Sequence, residues 1–170
     1  MKSVKSFLSF LSLVALLLGV LAPTLMAATS DSVSATVTAA NISVTVTDGT
    51  VAYGSLATSA TADTASGDLD DSQTATNDGN VTQDFDIAGQ NSTDWTLAAS
   101  AGSDQYTHKF CKTDCDGSPT WVALTTSYQE LATSVAADGT QVFDLQIGTP
   151  STNTSSDAQS VDVTVLASAS

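Results

Sequence analysis

Apolar and hydroxyl side chains alternate in Val33-Ser-Ala-Thr-Val-Thr38 and again in Ile42-Ser-Val-Thr-Val-Thr47. Successive side chains of a β-strand point to opposite faces of its sheet, so a period of two predicts strands with one buried and one solvated face. Val and Thr branch at Cβ and fit a pleated surface better than a helix. Both segments are therefore predicted to be half-buried strands.

The same period of two recurs at four later places in the 170-residue chain. These predicted strands cover residues 81–87, 95–99, 143–147 and 161–165. Residues 57–73 are small, polar and acidic, and they are predicted to be a long loop or an irregular edge, whereas residues 149–159 are predicted to be a Ser/Thr-rich loop. No window has the period of 3.6 that is typical of an amphipathic helix. The chain is therefore predicted to consist of short strands.

Turn sequences separate these strands at short intervals. They are Asp48-Gly49, Asn77-Asp-Gly-Asn80, Asp116-Gly117 and Asp138-Gly139. Asp-Gly pairs tolerate the positive φ angles that tight turns require. Several short alternating strands with regular turns predict an all-β fold, namely a single antiparallel β-sandwich of the Ig-like or jelly-roll kind.

The first 28 residues have the pattern of a secretory signal peptide. Lys2 and Lys5 precede a mostly apolar run over residues 7–22, which Pro23 and a pair of alanines follow. This order is typical of a cleaved leader. A retained helix of the type IV pilin kind is the alternative, but no processing site with Gly and a following Glu precedes the apolar run. We therefore expect residues 1–28 to be removed, residues 29–170 to form one secreted domain, and the mature chain to have no membrane span.

The chain after residue 28 is strongly acidic. It contains all 18 acidic residues but only the basic residues Lys109 and Lys112, which gives a net charge of −16. Nucleic-acid binding requires Lys and Arg to displace counterions from phosphates, so this charge excludes it as a function. The charge also disfavours adhesion to anionic lipid. Its simplest role is to keep an exported protein soluble, and binding of divalent cations is the alternative.

Cys111 and Cys115 are the only cysteines, and they lie near His108. In an oxidising compartment two nearby thiols most simply form one disulfide, which is our prediction. The alternative is a zinc or copper site made by His108 and both cysteines, with Asp114 or Asp116 as a fourth ligand. Structural zinc prefers four nitrogen or sulfur donors, and this segment offers three. His108 also shares strand parity with the aromatic residues on either side, so packing beside them would explain it.

Acidic loops are the candidate calcium sites. We consider Asp68, Asp70 and Asp71 a possible calcium site, because calcium prefers oxygen ligands from loops. Two further groups have the same chemistry: Asn77, Asp78 and Asn80 in a turn, and Asp114 with Asp116 beside the cysteines. None of the three has the twelve-residue EF-hand pattern with its terminal Glu. No other cofactor is expected.

Candidate catalytic residues are scarce. The chain has one His and one Glu, no Ser in a Gly-x-Ser-x-Gly turn and no Gly-rich phosphate loop. Asp84 and Asp86 form a carboxylate pair, but they lie on the polar face of a predicted strand. The sequence therefore predicts a protein that is not an enzyme.

Three features of the chain resemble a known class of secreted proteins. An alternating strand follows the leader, Tyr53-Gly-Ser-Leu precedes a polar insertion, and Thr76-Asn-Asp-Gly-Asn-Val leads to Phe85-Asp-Ile. This order resembles secreted Ig-like modules and, among these, the TasA and camelysin group of bacterial biofilm-matrix proteins. The resemblance implies an Ig-like or jelly-roll sandwich that polymerises into extracellular fibres by donating its N-terminal strand to a neighbour.

The residues themselves give separate support for strand donation. Val33, Ala35 and Val37 form the apolar face of the first predicted strand, and residues 33–46 contain no ionisable side chain. Such a segment can complete the sheet of another molecule, with main-chain hydrogen bonds for affinity and alternate side chains in a groove. The alternative is that it pairs within its own sheet.

These observations lead to a functional hypothesis. We expect a non-catalytic structural subunit of a cell-surface layer or pilus-like extracellular fibre, a homopolymer assembled by β-strand addition through Val33, Ala35 and Val37. The alternative is a secreted, adhesin-like β-sandwich that binds a glycan or another surface ligand through Trp95 or Trp121.

Overall fold

The computed structural model describes residues 29–67 and 69–170. Within those residues the chain forms ten β-strands and no helix. The strands are β1 (Val44–Thr47), β2 (Thr61–Asp63), β3 (Gln73–Asn77), β4 (Gln83–Ala88), β5 (Thr96–Leu97), β6 (Gln105–Cys111), β7 (Val122–Ala123), β8 (Gln129–Val135), β9 (Thr140–Gly148) and β10 (Thr164–Ala169). The predicted all-β class is therefore confirmed. The predicted signal peptide, residues 1–28, lies outside the described residues.

The chain divides into two units before Thr38. Of the first unit the structure describes residues 29–37, which we call the arm. All ten strands belong to the second unit, residues 38–170, which we call the body.

The strands of the body form two sheets in a sandwich-like fold. The larger sheet has seven strands in the order β1-β3-β9-β6-β5, with β2 also paired to β9 and β7 to β6. The smaller sheet has the order β10-β4-β8. Strand pairing is antiparallel except between β5 and β6. As a result, β1 and β10 are edge strands of different sheets.

The core lies between these two sheets. In β3 and β4 buried and half-buried residues alternate, so each of these strands contributes the side chains of one parity. The buried cluster consists of Ala75, Phe85, Ile87, Phe110, Leu124, Leu131, Phe143 and Leu145. Burying each of the larger side chains stabilises the fold by about 1.5–3 kcal/mol, so this cluster is the main source of stability.

Three sequence predictions within the body differ from the structure in their bounds. Residues 57–73, predicted to be a long loop or an irregular edge, contain the short strand β2 and the buried residue Thr64. The nine-residue strand β9 explains this, because it pairs with β3 over residues 140–143 and with β2 over residues 146–148. The predicted strand 95–99 is reduced to β5, and the predicted strand 161–165 begins only at Thr164, where the partner strand β4 ends.

The predicted half-buried strand at residues 33–38 is also wrong for the chain as it folds alone. Residues 29–43 contain no strand, and every residue from 29 to 42 is exposed. The alternating pattern specifies which side chains would be buried, but burial requires a partner strand, and no described strand of the body pairs with this segment.

The predicted positive φ angles are found in two of the Asp-Gly turns but not at Asp78-Gly79 or Asp116-Gly117. Asp48, Gly49 and Asp138 adopt φ angles of 70°, 67° and 60°, in the left-handed region that Asp and Gly tolerate.

Throughout residues 29–67 and 69–170, no helix is long and apolar enough to cross a membrane.

Candidate functional site: a groove between the edge strands

An open groove lies in the body between β1 and β10. These two edge strands lie beside each other but share no hydrogen-bonded ladder. The groove has a volume of about 520 Å³. Its apolar lining comes from both sheets: Val46, Val51, Phe143, Leu145, Ile147, Val161, Val163 and Val165. Polar side chains, among them Tyr53, Gln73, His108 and Asp162, line the groove as well, so its surface is only partly apolar, and no described strand closes it with main-chain hydrogen bonds.

One wall of the groove is an extended segment without a partner strand. Residues 159–165 alternate between half-buried and exposed, and Val161 and Val163 face the groove together with Val165 of β10. The ladder to β4 begins only at Thr164, and residues 160–163 take part in no backbone–backbone hydrogen bond with the described part of the chain. Unpaired N–H and C=O groups beside an apolar groove are what an incoming strand requires.

Tyr53 and His108 form a polar contact in the lining of the groove. The Tyr53 hydroxyl lies 3.2 Å from Nε2 of His108. Burial lowers the pKa of the imidazole to about 4, so the ring is neutral at neutral pH. Burial, together with the charges of Asp63, Asp71 and Asp144, raises the pKa of the Tyr53 hydroxyl, which therefore stays protonated. This part of the lining is thus uncharged although it is polar.

The surroundings of His108 explain why this histidine occurs in a core position. Its side chain is 3% exposed, and its ring centroid lies 6.3 Å from that of Tyr106. Nδ1 is buried and has no hydrogen-bond partner in the described residues. The sequence suggested packing beside aromatic residues, which the structure confirms for Tyr106. The contact with Tyr53 could not be predicted, because 55 residues separate the two positions.

The cysteines form the predicted disulfide. Cys111 and Cys115 are bonded to each other, with their Cα atoms 5.8 Å apart. The alternative of a zinc or copper site is therefore wrong, since both thiols are consumed by the bond. The bridge closes a loop at the end of β6.

The possible calcium residues are only partly described. Asp68 lies outside the described residues, Asp70 is exposed, and the carboxylate of Asp71 accepts a hydrogen bond from the Gln73 amide. Burial, followed by the nearby Asp48, raises the pKa of Asp71. Among the described residues no group of three His, Cys, Asp or Glu side chains is arranged to hold a metal ion. The calcium site stays a prediction.

The two tryptophans are half-buried and lie before β5 and β7. The Trp95 indole N–H donates to Oδ1 of Asn153, at 2.9 Å, and its ring packs at a centroid distance of 6.2 Å against Tyr106. Trp95 therefore has a structural role at the end of the larger sheet, whereas Trp121 precedes the exposed residue Val122.

The arm carries exposed apolar side chains. Val33 is 96% and Val37 is 95% exposed, the two highest values among the large apolar residues of the described chain. Ala35 between them is exposed as well. The three proposed contact residues are thus available to a partner.

Comparison of the chain with protein-family models, with curated proteins and with solved structures finds no match. The functional argument accordingly depends on the groove, the unpaired segment beside it and the exposed arm.

Proposed function

We propose that this protein is a non-catalytic structural subunit of an extracellular fibre or cell-surface layer. Residues 33–38 of one copy add as a strand to the groove between β1 and β10 of the next copy. The observation that carries the proposal is that one chain combines an exposed alternating segment and an open, partly apolar groove, neither of which has a partner strand among the described residues.

The side chains of the arm match this groove. In an extended strand, side chains on one face recur about every 6.6 Å, so Val33, Ala35 and Val37 form one apolar row. This row faces the groove while Ser34 and Thr36 face water. Burying the two valines contributes about 1.5–3 kcal/mol each, and each new main-chain hydrogen bond contributes about 0.5–1.5 kcal/mol.

The edges of the groove favour main-chain pairing. β1 and the two residues before it contain no ionisable side chain, and β10 contains none either. Sheet edges that must not associate usually carry charges, prolines or bulges, and both of these edges lack a charge. Asp162 is the charged residue of the unpaired segment.

The remaining chemistry is consistent with a secreted structural role. The disulfide supports export, since such bonds persist in oxidising compartments. The only histidine of the chain is buried and hydrogen-bonded to Tyr53, which supports packing instead of proton transfer. The net charge of −16 after residue 28 makes copies repel one another at low salt, and screening over about 8 Å at physiological salt relieves this.

The test uses the full chain expressed in a secreting host, with the N-terminus of the exported form determined by mass spectrometry. We expect fibres at physiological salt by negative-stain microscopy and monomers for the double variant Val33→Asp, Val37→Asp. The matched control is Ser34→Asp, Thr36→Asp, which adds the same charge to the opposite face of the same segment and should still assemble.

Two outcomes would contradict the proposal. Fibres formed equally well by the Val33→Asp, Val37→Asp variant would show that the apolar row of the arm is not the contact. Monomers of the unmodified protein under all salt conditions, with binding to a polysaccharide array that Trp121→Ala abolishes, would favour a glycan-binding module instead.

A further inference from the structure

We propose that Asn80 is a positioning residue for assembly, because it fixes the backbone from which the arm departs. The inference rests on the proposed function, in which the arm must reach a neighbouring copy. Asn80 belongs to the turn of residues 77–80, between β3 and β4, and is remote in sequence from the segment it holds.

Three hydrogen bonds join Asn80 to residues 39–41, which we call the arm base. The Asn41 backbone N–H donates to Oδ1 of Asn80 at 2.7 Å, and Nδ2 of Asn80 donates to the carbonyl of Ala39 at 2.9 Å. The backbone N–H of Asn80 donates to the carbonyl of Asn41 at 3.2 Å. One side-chain amide thus uses both its acceptor and its donor on the backbone of the arm base, in the manner of a strand partner.

The turn that carries Asn80 is itself fixed to the core. The side chain of Asn77 is fully buried, and its Nδ2 donates to the carbonyls of Val81 and Val135 at 2.9 and 2.8 Å. Its Oδ1 accepts the backbone N–H of Gly79 at 2.9 Å. Asn80 is therefore held on a rigid support, so its amide can impose a direction on the segment that it binds.

The close approach of the arm base explains the glycine in this turn. A Cβ atom at Gly79 would lie 2.3 Å from the carbonyl oxygen of Asn41, which is too short for any side chain. The turn is thus shaped to let residue 41 approach closely, and Asn80 completes the contact.

The placement of Asn80 argues for a role beyond folding. Asn80 and the arm base are exposed, and its side-chain hydrogen bonds go only to Ala39 and Asn41, which precede the first strand. Holding these residues does not close the core. It orders residues 39–41, which follow residues 33–38 directly in the chain, and a segment that is ordered beforehand loses less conformational entropy on binding.

The experiment compares Asn80→Ala with Asn153→Ala, which removes another exposed amide that makes two hydrogen bonds away from the arm. Freeing one backbone residue costs a factor of about 5–30 in a binding equilibrium, so the critical concentration for assembly should rise by about that factor in Asn80→Ala. The Asn153→Ala variant should assemble like the unmodified protein.

A second measurement tests the contact itself, in monomers that carry Val33→Asp and Val37→Asp. The Asn41 amide should be protected from hydrogen exchange in this background and lose its protection when Asn80→Ala is added, while amides of β4 and β9 stay protected. If the Asn41 amide stays protected in Asn80→Ala, the inference is overturned, because the order of the arm base would not depend on the Asn80 side chain.

The two proposals fail in different ways. If the unmodified protein forms fibres and Asn80→Ala forms them at the same concentration, only the positioning role is wrong. If the unmodified protein forms no fibres at all, the proposed function is wrong and the positioning role falls with it, whatever the exchange of the Asn41 amide shows.

Discussion

Residues 33–38 and residues 42–47 carry nearly the same sequence pattern but differ in structure. In the second segment Val44–Thr47 forms β1 and pairs with Thr74–Asn77 of β3, which half-buries Val44 and Val46. In the first segment Val33 and Val37 are almost fully exposed and no strand forms. The difference teaches that an alternating pattern encodes which face is to be buried, whereas the available partner strand determines whether burial occurs.

Residues 33–38 keep the side-chain pattern of a half-buried strand although they form no strand in the structure. Selection against exposed apolar side chains is strong at strand edges, because such edges promote association. A segment that keeps an apolar row without a partner strand among the described residues is therefore a candidate for a partner in another chain. The same pattern that serves the core in β1 serves assembly in the arm.

The comparison depends on residues 33–38 having no partner strand and on the groove having no added strand. The strongest test therefore supplies the added strand within the same chain. We predict that a flexible Gly/Ser linker and a second copy of residues 31–39, added after Ser170, will occupy the groove of the same molecule. A short flexible linker gives an effective concentration of about millimolar, so the added segment competes well with other copies. Fibres should disappear entirely, and exchange of the amides of β10 should slow.

The control for this design carries aspartate in place of both valines of the added segment. It should leave fibre formation unchanged. Fibres that persist with the apolar extension would contradict the assignment of the groove as the acceptor.

The second prediction is that side chains of the arm contribute little to the free energy of unfolding of the body, whereas side chains of the core contribute much. Phe85 is fully buried in the core cluster, so Phe85→Ala should lower the free energy of unfolding by about 3–5 kcal/mol. Val37→Ala removes an exposed side chain of the monomer and should change that free energy by less than about 0.5 kcal/mol. Urea unfolding of monomers, with Phe85→Ala, Val37→Ala and their parent all in the Val33→Asp background, measures both values.

A destabilisation by Val37→Ala comparable to that of a core substitution would show that the arm packs on its own body. In that case residues 33–38 would be an intramolecular strand, and the alternative considered from the sequence would be correct.

The sequence predicted the class of the fold because its signals are local. Alternation in residues 42–47 and 81–87 and the Asp-Gly turns need only neighbouring residues to be recognised. The strand β2 was missed because Thr61–Asp63 is short and pairs with Gln146–Gly148 far along the chain. The groove was beyond prediction for the same reason: it forms where residues 46–53, 143–147 and 161–165 meet.

Of the candidate site, only the segment that donates a strand could be predicted from the sequence, and the groove that accepts it could not. Val33, Ala35 and Val37 could be selected from parity and the lack of nearby charge. The turn of residues 77–80 could be recognised from the sequence. The hydrogen bonds of its Asn80 to Ala39 and Asn41 could not, because these partners are about 40 residues away in sequence. Contacts of this length depend on which strands pair and in which register, here β1 with β3, and a pattern of period two does not specify either.

The smallest expected effect concerns pH, to which the groove and the arm should respond differently. The pKa of His108 is lowered by burial from 6.5 to about 4. The unfolded chain therefore binds a proton near pH 6.5, whereas the folded body does so only near pH 4. Stability should be highest above pH 6.5, fall between these two values as the pH is lowered, and then cease to fall further from this cause. The loss amounts to about 3 kcal/mol, at about 1.4 kcal/mol for each pKa unit.

Many carboxylates also titrate near this window, so the effect of His108 must be isolated by difference. Monomers carrying His108→Gln retain a polar group beside Tyr53 but cannot take up the proton. The difference in unfolding free energy between the parent and this variant should therefore change by about 3 kcal/mol between pH 7 and pH 4, in the sense that the parent loses more. If the unfolding free energies of the parent and of His108→Gln change with pH in parallel, the imidazole is not buried in the neutral form.

The arm has no titratable group from Ser32 to Val37. If fibre formation depends on pH and this dependence disappears in His108→Gln, the pH dependence therefore arises in the groove.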